Sequence, residues 1–100
     1  MDTTSRKLLT VVTEAALEAR LCEALDDLGA TGYTIVNARG RGSRGVRQAD
    51  WSTSGNIRLE VICDEERAAE IATYLRDRYF DNFLMIIYIS DVQVLREDKF

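Results

Sequence analysis

Residues 39–56 read RGRGSRGVRQADWSTSGN and carry no apolar periodicity, while the residues on either side of them repeat one pattern. Before that run, residues 7–13 (KLLTVVT) have the β-branched content of a strand. Leu17, Leu21, Ala24, Leu25 and Leu28 then recur at the spacing of one helix face, which stops at Gly29. Thr13 is placed to cap this helix, with Glu14 in its first turn, where exposed amides favour negative charge. A second strand covers residues 33–38. After the run, Ile57, Leu59, Val61 and Cys63 alternate with a period of two. Asp64 caps a second helix whose buried stripe is Ala68, Ile71, Ala72 and Leu75, and residues 83–95 make a long last strand.

The order β-α-β-β-α-β predicts an α+β fold of the ferredoxin-like type. Its four-stranded antiparallel sheet carries both helices on one face. One domain spanning residues 1–100 is expected. The first strand is apolar on both sides: Leu8 and Val12 point one way, Leu9 and Val11 the other. The last strand is apolar throughout its first half. Helices cover one face only, and a solvated antiparallel face is normally polar. The second face is therefore expected to be buried in an oligomer, where an acid introduced at Val11 would lie unpaired.

Composition removes several function classes. The chain has no histidine, which excludes Ser-His-Asp and Cys-His catalytic sets and most zinc sites. Cys22 and Cys63 have no C-x-x-C spacing and read as two reduced, buried thiols. The first residues, MDTTSRK, lack an apolar segment of the signal-peptide kind, and a cytoplasmic location is expected. The net charge of −4 hides an asymmetry: residues 39–49 hold four arginines and no acid, leaving −8 on the rest. Asp26 and Asp27, and the group Asp64, Glu65 and Glu66, read as solvation and capping rather than as a catalytic or metal site.

A hairpin needs about 2–5 loop residues, and structureless loops above about 12–15 are usually functional or disordered. In Gly40, Arg41, Gly42, Ser43, Arg44, Gly45, Val46 and Arg47 the glycines let backbone amides turn toward an anion. Ser43 supplies a hydroxyl, and the arginines supply planar forks for phosphate or carboxylate oxygens. This is not a P-loop, because no Gly-Lys-Ser/Thr opens a helix here. Three readings stay open on these residues alone: a phosphate or small-anion site, a solvated loop that balances the acidic body, and an RG-type segment contacting RNA.

The residues from Gly32, Tyr33 and Thr34 through Gly40, Arg41, Gly42, Ser43 and Arg44 resemble the PII signal-transduction superfamily. There a G-x-T strand runs into a G-x-G turn at the root of a long T-loop. The resemblance continues in Leu59, Glu60, Val61 and Ile62. Val11-Val12-Thr13-Glu14, Val46-Arg47 and Ile86-Ile87-Tyr88-Ile89 are similar to the PII-like branch linked to bicarbonate transport and carboxysomes.

The resemblance implies a homotrimer with nucleotide sites between subunits and a T-loop at about residues 40–56. By position, Gly40, Arg41, Gly42, Ser43 and Arg44 would follow the phosphates, joined by Arg47, while Thr34, Glu60 and Ile62 would line the adenine end. Arg41, Ser43, Arg44 and Arg47 are the candidates for a bicarbonate-type anion. The implied ligands are ADP or AMP, with ATP a further candidate, and bicarbonate beside the nucleotide. No cofactor and no metal are implied, and the T-loop would contact a bicarbonate transporter or a carboxysome component. Where the usual PII protein has an Asp-Gly-Lys stretch, this chain reads Asp81-Asn82-Phe83-Leu84-Met85, without the lysine that grips the polyphosphate. Residues 40–56 have no tyrosine, which excludes uridylylation of the usual kind.

The leading expectation is a non-enzymatic sensor of adenine nucleotides in inorganic-carbon handling, without nucleic acid as partner. The alternative is an RNA-binding ferredoxin-like module using the same loop. RNA readers of that shape stack bases on aromatics of an open sheet face, and the first and third strands carry none.

Overall fold

The computed structural model describes residues 2–40 and 55–95. Strand β1 (Thr4–Glu14) leads through one 3-10 turn, Ala15–Leu17, into helix α1 (Glu18–Asp27). Strands β2 (Thr34–Ala38) and β3 (Asn56–Cys63) follow, then helix α2 (Glu65–Tyr79) and strand β4 (Met85–Val94). The four strands form one sheet in the order β2-β3-β1-β4, with every neighbouring pair antiparallel. The expected α+β, ferredoxin-like βαββαβ arrangement is present.

Both helices lie on one face because their stripes bury against the same strand residues. Leu17, Leu21 and Leu25 from the first helical segment join Ala68, Ile71, Leu75 and Tyr79 from α2. Between them lie Leu9 and Val11 of β1 and Ile57, Leu59, Val61 and Cys63 of β3. Burying a side chain such as Leu25 or Ile71 contributes roughly 1.5–3 kcal/mol, so this cluster is the main source of stability. Val11 is 0% exposed and belongs to this helix-covered face, which corrects its assignment to an oligomer contact.

The helix ends follow local chemistry with one exception. Asp64 caps α2, its side chain accepting from the Arg67 amide at 2.7 Å. Gly29 ends α1 with φ +82°, and the Ala30 amide reaches back to the Leu25 carbonyl at 2.9 Å, the bond pattern of a Schellman stop. Thr13 does not cap the first helix. It is the penultimate residue of β1, and its hydroxyl donates to the Leu84 carbonyl at 2.6 Å. The Glu14 carboxylate accepts from the Leu84 amide at 3.1 Å. Together they clasp the residue that enters β4, and the helix starts one turn later without a side-chain cap.

Candidate functional site

Period-two alternation puts one set of residues on the sheet face that the helices leave open. The register aligns that set in rows across the strands. Thr34 of β2 is directly opposite Glu60 of β3, Glu60 is opposite Thr10 of β1, and Thr10 is opposite Tyr88 of β4. The next row toward the β2 exit is Val36, Arg58, Val12 and Ile86, and the one beyond it holds Ala38, Asn56 and Glu14. On the other side of the polar row, Ile62 faces Leu8. The open face is thus a polar row between two largely apolar ones.

Val36, Ile86 and Tyr88 are all exposed, Ile86 to 51%. Ile89, on the helix side of the edge strand β4, is exposed as well. Exposed apolar residues on one sheet face, with Ile86 and Tyr88 two residues apart on β4, mark an interaction surface rather than a finished monomer surface. Arg58 and Glu60, neighbours on this face of β3, form an ion pair at 3.4 Å. Buried polar atoms on the same face stay unpartnered among the described residues: Oγ1 of Thr10, Oδ1 of Asn56 and Nε of Arg6. Such atoms are costly unless another molecule completes them.

The structure brings three of the expected site residues onto this face. Thr34 and Glu60 are paired across β2 and β3, and Ile62 lies two residues along β3. Gly40 lies two residues past the end of β2, at the root of the arginine-rich segment. Arg41, Gly42, Ser43, Arg44 and Arg47 lie outside the described residues. Gly55, with φ +75°, closes the far root, and its carbonyl accepts from the Ala15 amide at 3.0 Å.

Two features escaped sequence reasoning because their partners are remote in the chain. One is the clasp of Thr13 and Glu14 on Leu84. The other is Arg67, whose guanidinium donates to the Leu28 carbonyl at 2.8 Å and so holds the exit of α1 toward β2. Tyr33, one residue before Thr34, is tied to α1 too. Its hydroxyl interacts with Cys22 and lies 3.5 Å from Asp26. The hydrogen bond with Cys22, burial, and the charges of Cys22 and Asp26 together push its ionisation up to about 12. Among the described residues no group of three or more His, Cys, Asp or Glu side chains is arranged to hold a metal ion, and no helix is long and apolar enough to cross a membrane.

Residues 6–99 match the sequence profile of the family described as nitrogen regulatory protein P-II. A PII-like protein of Thermus thermophilus is 48% identical over 100% of this chain and 99% of its own, with a TM-score of 0.83. CPII of Thiomonas intermedia K12, bound to ADP, AMP and acetate, is 26% identical over 100% of this chain and 98% of its own, with a TM-score of 0.85. The same protein bound to ADP and bicarbonate is 25% identical over 98% and 96%, with a TM-score of 0.83.

Proposed function

The chain belongs to the nitrogen regulatory protein P-II family, and from that premise we propose that it is a non-enzymatic signalling protein that binds ADP or AMP together with bicarbonate. The observation that carries this reading is the pairing of Thr34 with Glu60 on the open sheet face, on the strand that leads through Gly40 into three closely spaced arginines. A hydroxyl and a carboxylate on a partly apolar sheet suit the edge of an adenine and its ribose. Glycine, serine and arginine at the adjoining loop root suit phosphate oxygens and a small planar anion. CPII of Thiomonas intermedia, with its bound ADP, AMP and bicarbonate, supports the same ligand set.

The protein works as a homotrimer, its uncovered apolar rows facing the neighbouring copies and its nucleotide sites lying between them. Residues 40–56 act as the T-loop and carry the signal to a bicarbonate transporter or a carboxysome component in the cytoplasm. The protein regulates inorganic-carbon uptake or fixation without turning over its ligands. Calorimetric titration with AMP, ADP and ATP, each with and without bicarbonate, tests the reading. Micromolar binding of ADP or AMP, tightened by bicarbonate, is expected. Absence of binding by every adenine nucleotide would overturn it. An RNA-binding module is disfavoured because the central strands β1 and β3 place no aromatic side chain on the open face.

A further inference from the structure

We propose that the subunits join edge to edge, β4 of one lying alongside β2 of the next, so that Tyr88 of the partner subunit stands beside Thr34 and completes the candidate site; this rests on the trimeric, adenine-nucleotide reading above. The sheet order leaves β2 and β4 as its two edges, each with a row of backbone groups that no strand covers among the described residues. The exposed large apolar residues of the sheet, Val36, Ile86, Tyr88 and Ile89, all lie on these two strands. Ile86 and Tyr88 belong to the open face, whereas Ile89 belongs to the helix side and is 45% exposed. A partner resting flat on the open face would leave Ile89 in water. A strand laid along the edge presents side chains to both faces and covers all three.

A second copy of this chain supplies such a strand. β2 has five residues, and the exposed apolar side chains of β4 fall within its first five, Met85 to Ile89. Beyond them the edge is guarded by polar residues, Ser90, Asp91 and Gln93, with Asp91 bound to Lys7. Every neighbouring pair is antiparallel, so β2 and β1 run one way and β3 and β4 the other. Rotation about an axis along the strands keeps those directions. β4 then meets β2 of the next copy antiparallel, as in every other pair of the sheet. Joining unlike edges is a head-to-tail contact, and it closes into a ring when the sheets curve with their open faces inward. The same rotation keeps the height of each row. Thr34, Glu60, Thr10 and Tyr88 share one row, so the partner's Tyr88 continues that row beside Thr34. Within one subunit Tyr88 is three strands from Thr34, roughly 14 Å, too far for both to bound one base. The ring of the partner's Tyr88 gives a purine a flat apolar wall next to the Thr34 hydroxyl and the Glu60 carboxylate.

Disulfide trapping in the full-length protein tests the junction. Cys22→Ser first removes the half-exposed native thiol. In that background two same-face pairs are introduced, Thr34→Cys with Tyr88→Cys and Val36→Cys with Ile86→Cys. The two positions of each pair are too far apart within a subunit to bond, so any link joins two chains. Mild oxidation should give covalent dimers and trimers on a denaturing gel. Ile35→Cys with Ile86→Cys places the thiols on opposite faces and should stay unlinked. No covalent species from either same-face pair, in protein that light scattering shows to be trimeric, would overturn the proposal; so would linking of the opposite-face pair as readily as the others. Calorimetry tests the ring. Tyr88→Ala should weaken ADP binding by about tenfold, as loss of one stacked ring does, and Tyr88→Phe should weaken it less. Unchanged ADP affinity in trimeric Tyr88→Ala would remove Tyr88 from the site. If wild type binds ADP and no link forms, the adenine-nucleotide reading stands and the edge pairing falls. If wild type binds no adenine nucleotide, that reading falls, and the links still decide the pairing.

Discussion

Arg67 reaches across from α2 and donates to the carbonyl oxygen of Leu28 at 2.8 Å, and its guanidinium fills the space that a side chain at Gly29 would need. A Cβ on Gly29 would stand 2.0 Å from Nη1 of Arg67. Gly29 also holds φ +82°, where L residues are strained. The carbonyl end of α1 carries partial negative charge, so a cation there is stabilising as well as space-filling.

Gly29→Ala should therefore destabilise the protein by about 2–3 kcal/mol, combining left-handed strain with displacement of a charge-assisted hydrogen bond. Arg67→Met removes the hydrogen bond alone and should cost about 1 kcal/mol. The double variant should be less destabilised than the sum, because the clash at Gly29 disappears with the guanidinium. Urea unfolding of the four proteins at one protein concentration measures this coupling. Strict additivity would mean that Arg67 and Gly29 act independently.

Alkaline pH should loosen the fold through two groups. Lys7 is raised above its usual 10.5, chiefly by its hydrogen bond to Asp91, with further help from the charges of Asp91 and Glu65 and opposition from burial. Tyr33 is pushed up to about 12, chiefly by its hydrogen bond with Cys22. Both ionisations are raised in the folded state, so the folded chain holds these protons longer than the unfolded one. Their contribution to stability is complete below pH 10, the usual tyrosine value, and is lost as pH rises toward 12. Tyr33→Phe should flatten the loss of melting temperature over that window, and the high-pH step of the phenolate absorbance should vanish with it. A wild-type curve matched by both Tyr33→Phe and Lys7→Met would refute this assignment.

Most of the fold was legible because it rests on near-neighbour patterns. Ile57, Leu59, Val61 and Cys63 alternate and are all buried, and the stripe of Leu17, Leu21, Ala24 and Leu25 is the core face of the first helical segment. Asp64 caps its helix because the amide it needs is three residues away. Thr13 followed by Glu14 has the same local chemistry, yet the outcome differs. A partner 71 residues along the chain, Leu84, offers the Thr13 hydroxyl a carbonyl, and that long-range bond outcompetes the local cap. The candidate site divides along the same line. Glu60 and Ile62 share a face by alternation alone, whereas the placement of Thr34 on that face, opposite Glu60, depends on the β2–β3 register, set across the intervening residues.

The two faces of the sheet should respond differently to an introduced acid. Val11 is enclosed between sheet and helices, so Val11→Asp should prevent the subunit from folding. Ile86 is 51% exposed on the open face, so Ile86→Asp should leave the subunit folded. In the trimer proposed above, the same aspartate would be buried without a partner, at a cost of several kcal/mol. Light scattering should give about three times 11.3 kDa for wild type and a lower mass for Ile86→Asp with unchanged circular dichroism. A monomeric wild type would remove the trimer and the site between its subunits.

Thr34 and Glu60 should matter for affinity, and the arginines after Gly40 for the coupling between ligands. If Thr34 and Glu60 meet the nucleotide as proposed, Thr34→Val or Glu60→Ala should weaken ADP binding by about tenfold, equivalent to roughly 1.4 kcal/mol. If Arg44 grips phosphate as proposed, Arg44→Ala should cost about tenfold to a hundredfold in ADP affinity. If nucleotide and bicarbonate share the arginine-rich segment, each must tighten the other by the same factor, because the coupling is one free energy seen from two sides. Titrating ADP at fixed bicarbonate, and bicarbonate at fixed ADP, measures that factor twice. Equal factors above one in wild type, falling to one in Arg47→Ala while ADP alone still binds, would place the coupling on the loop. Equal factors of one in wild type would mean that the two ligands bind independently and that this segment does not join them.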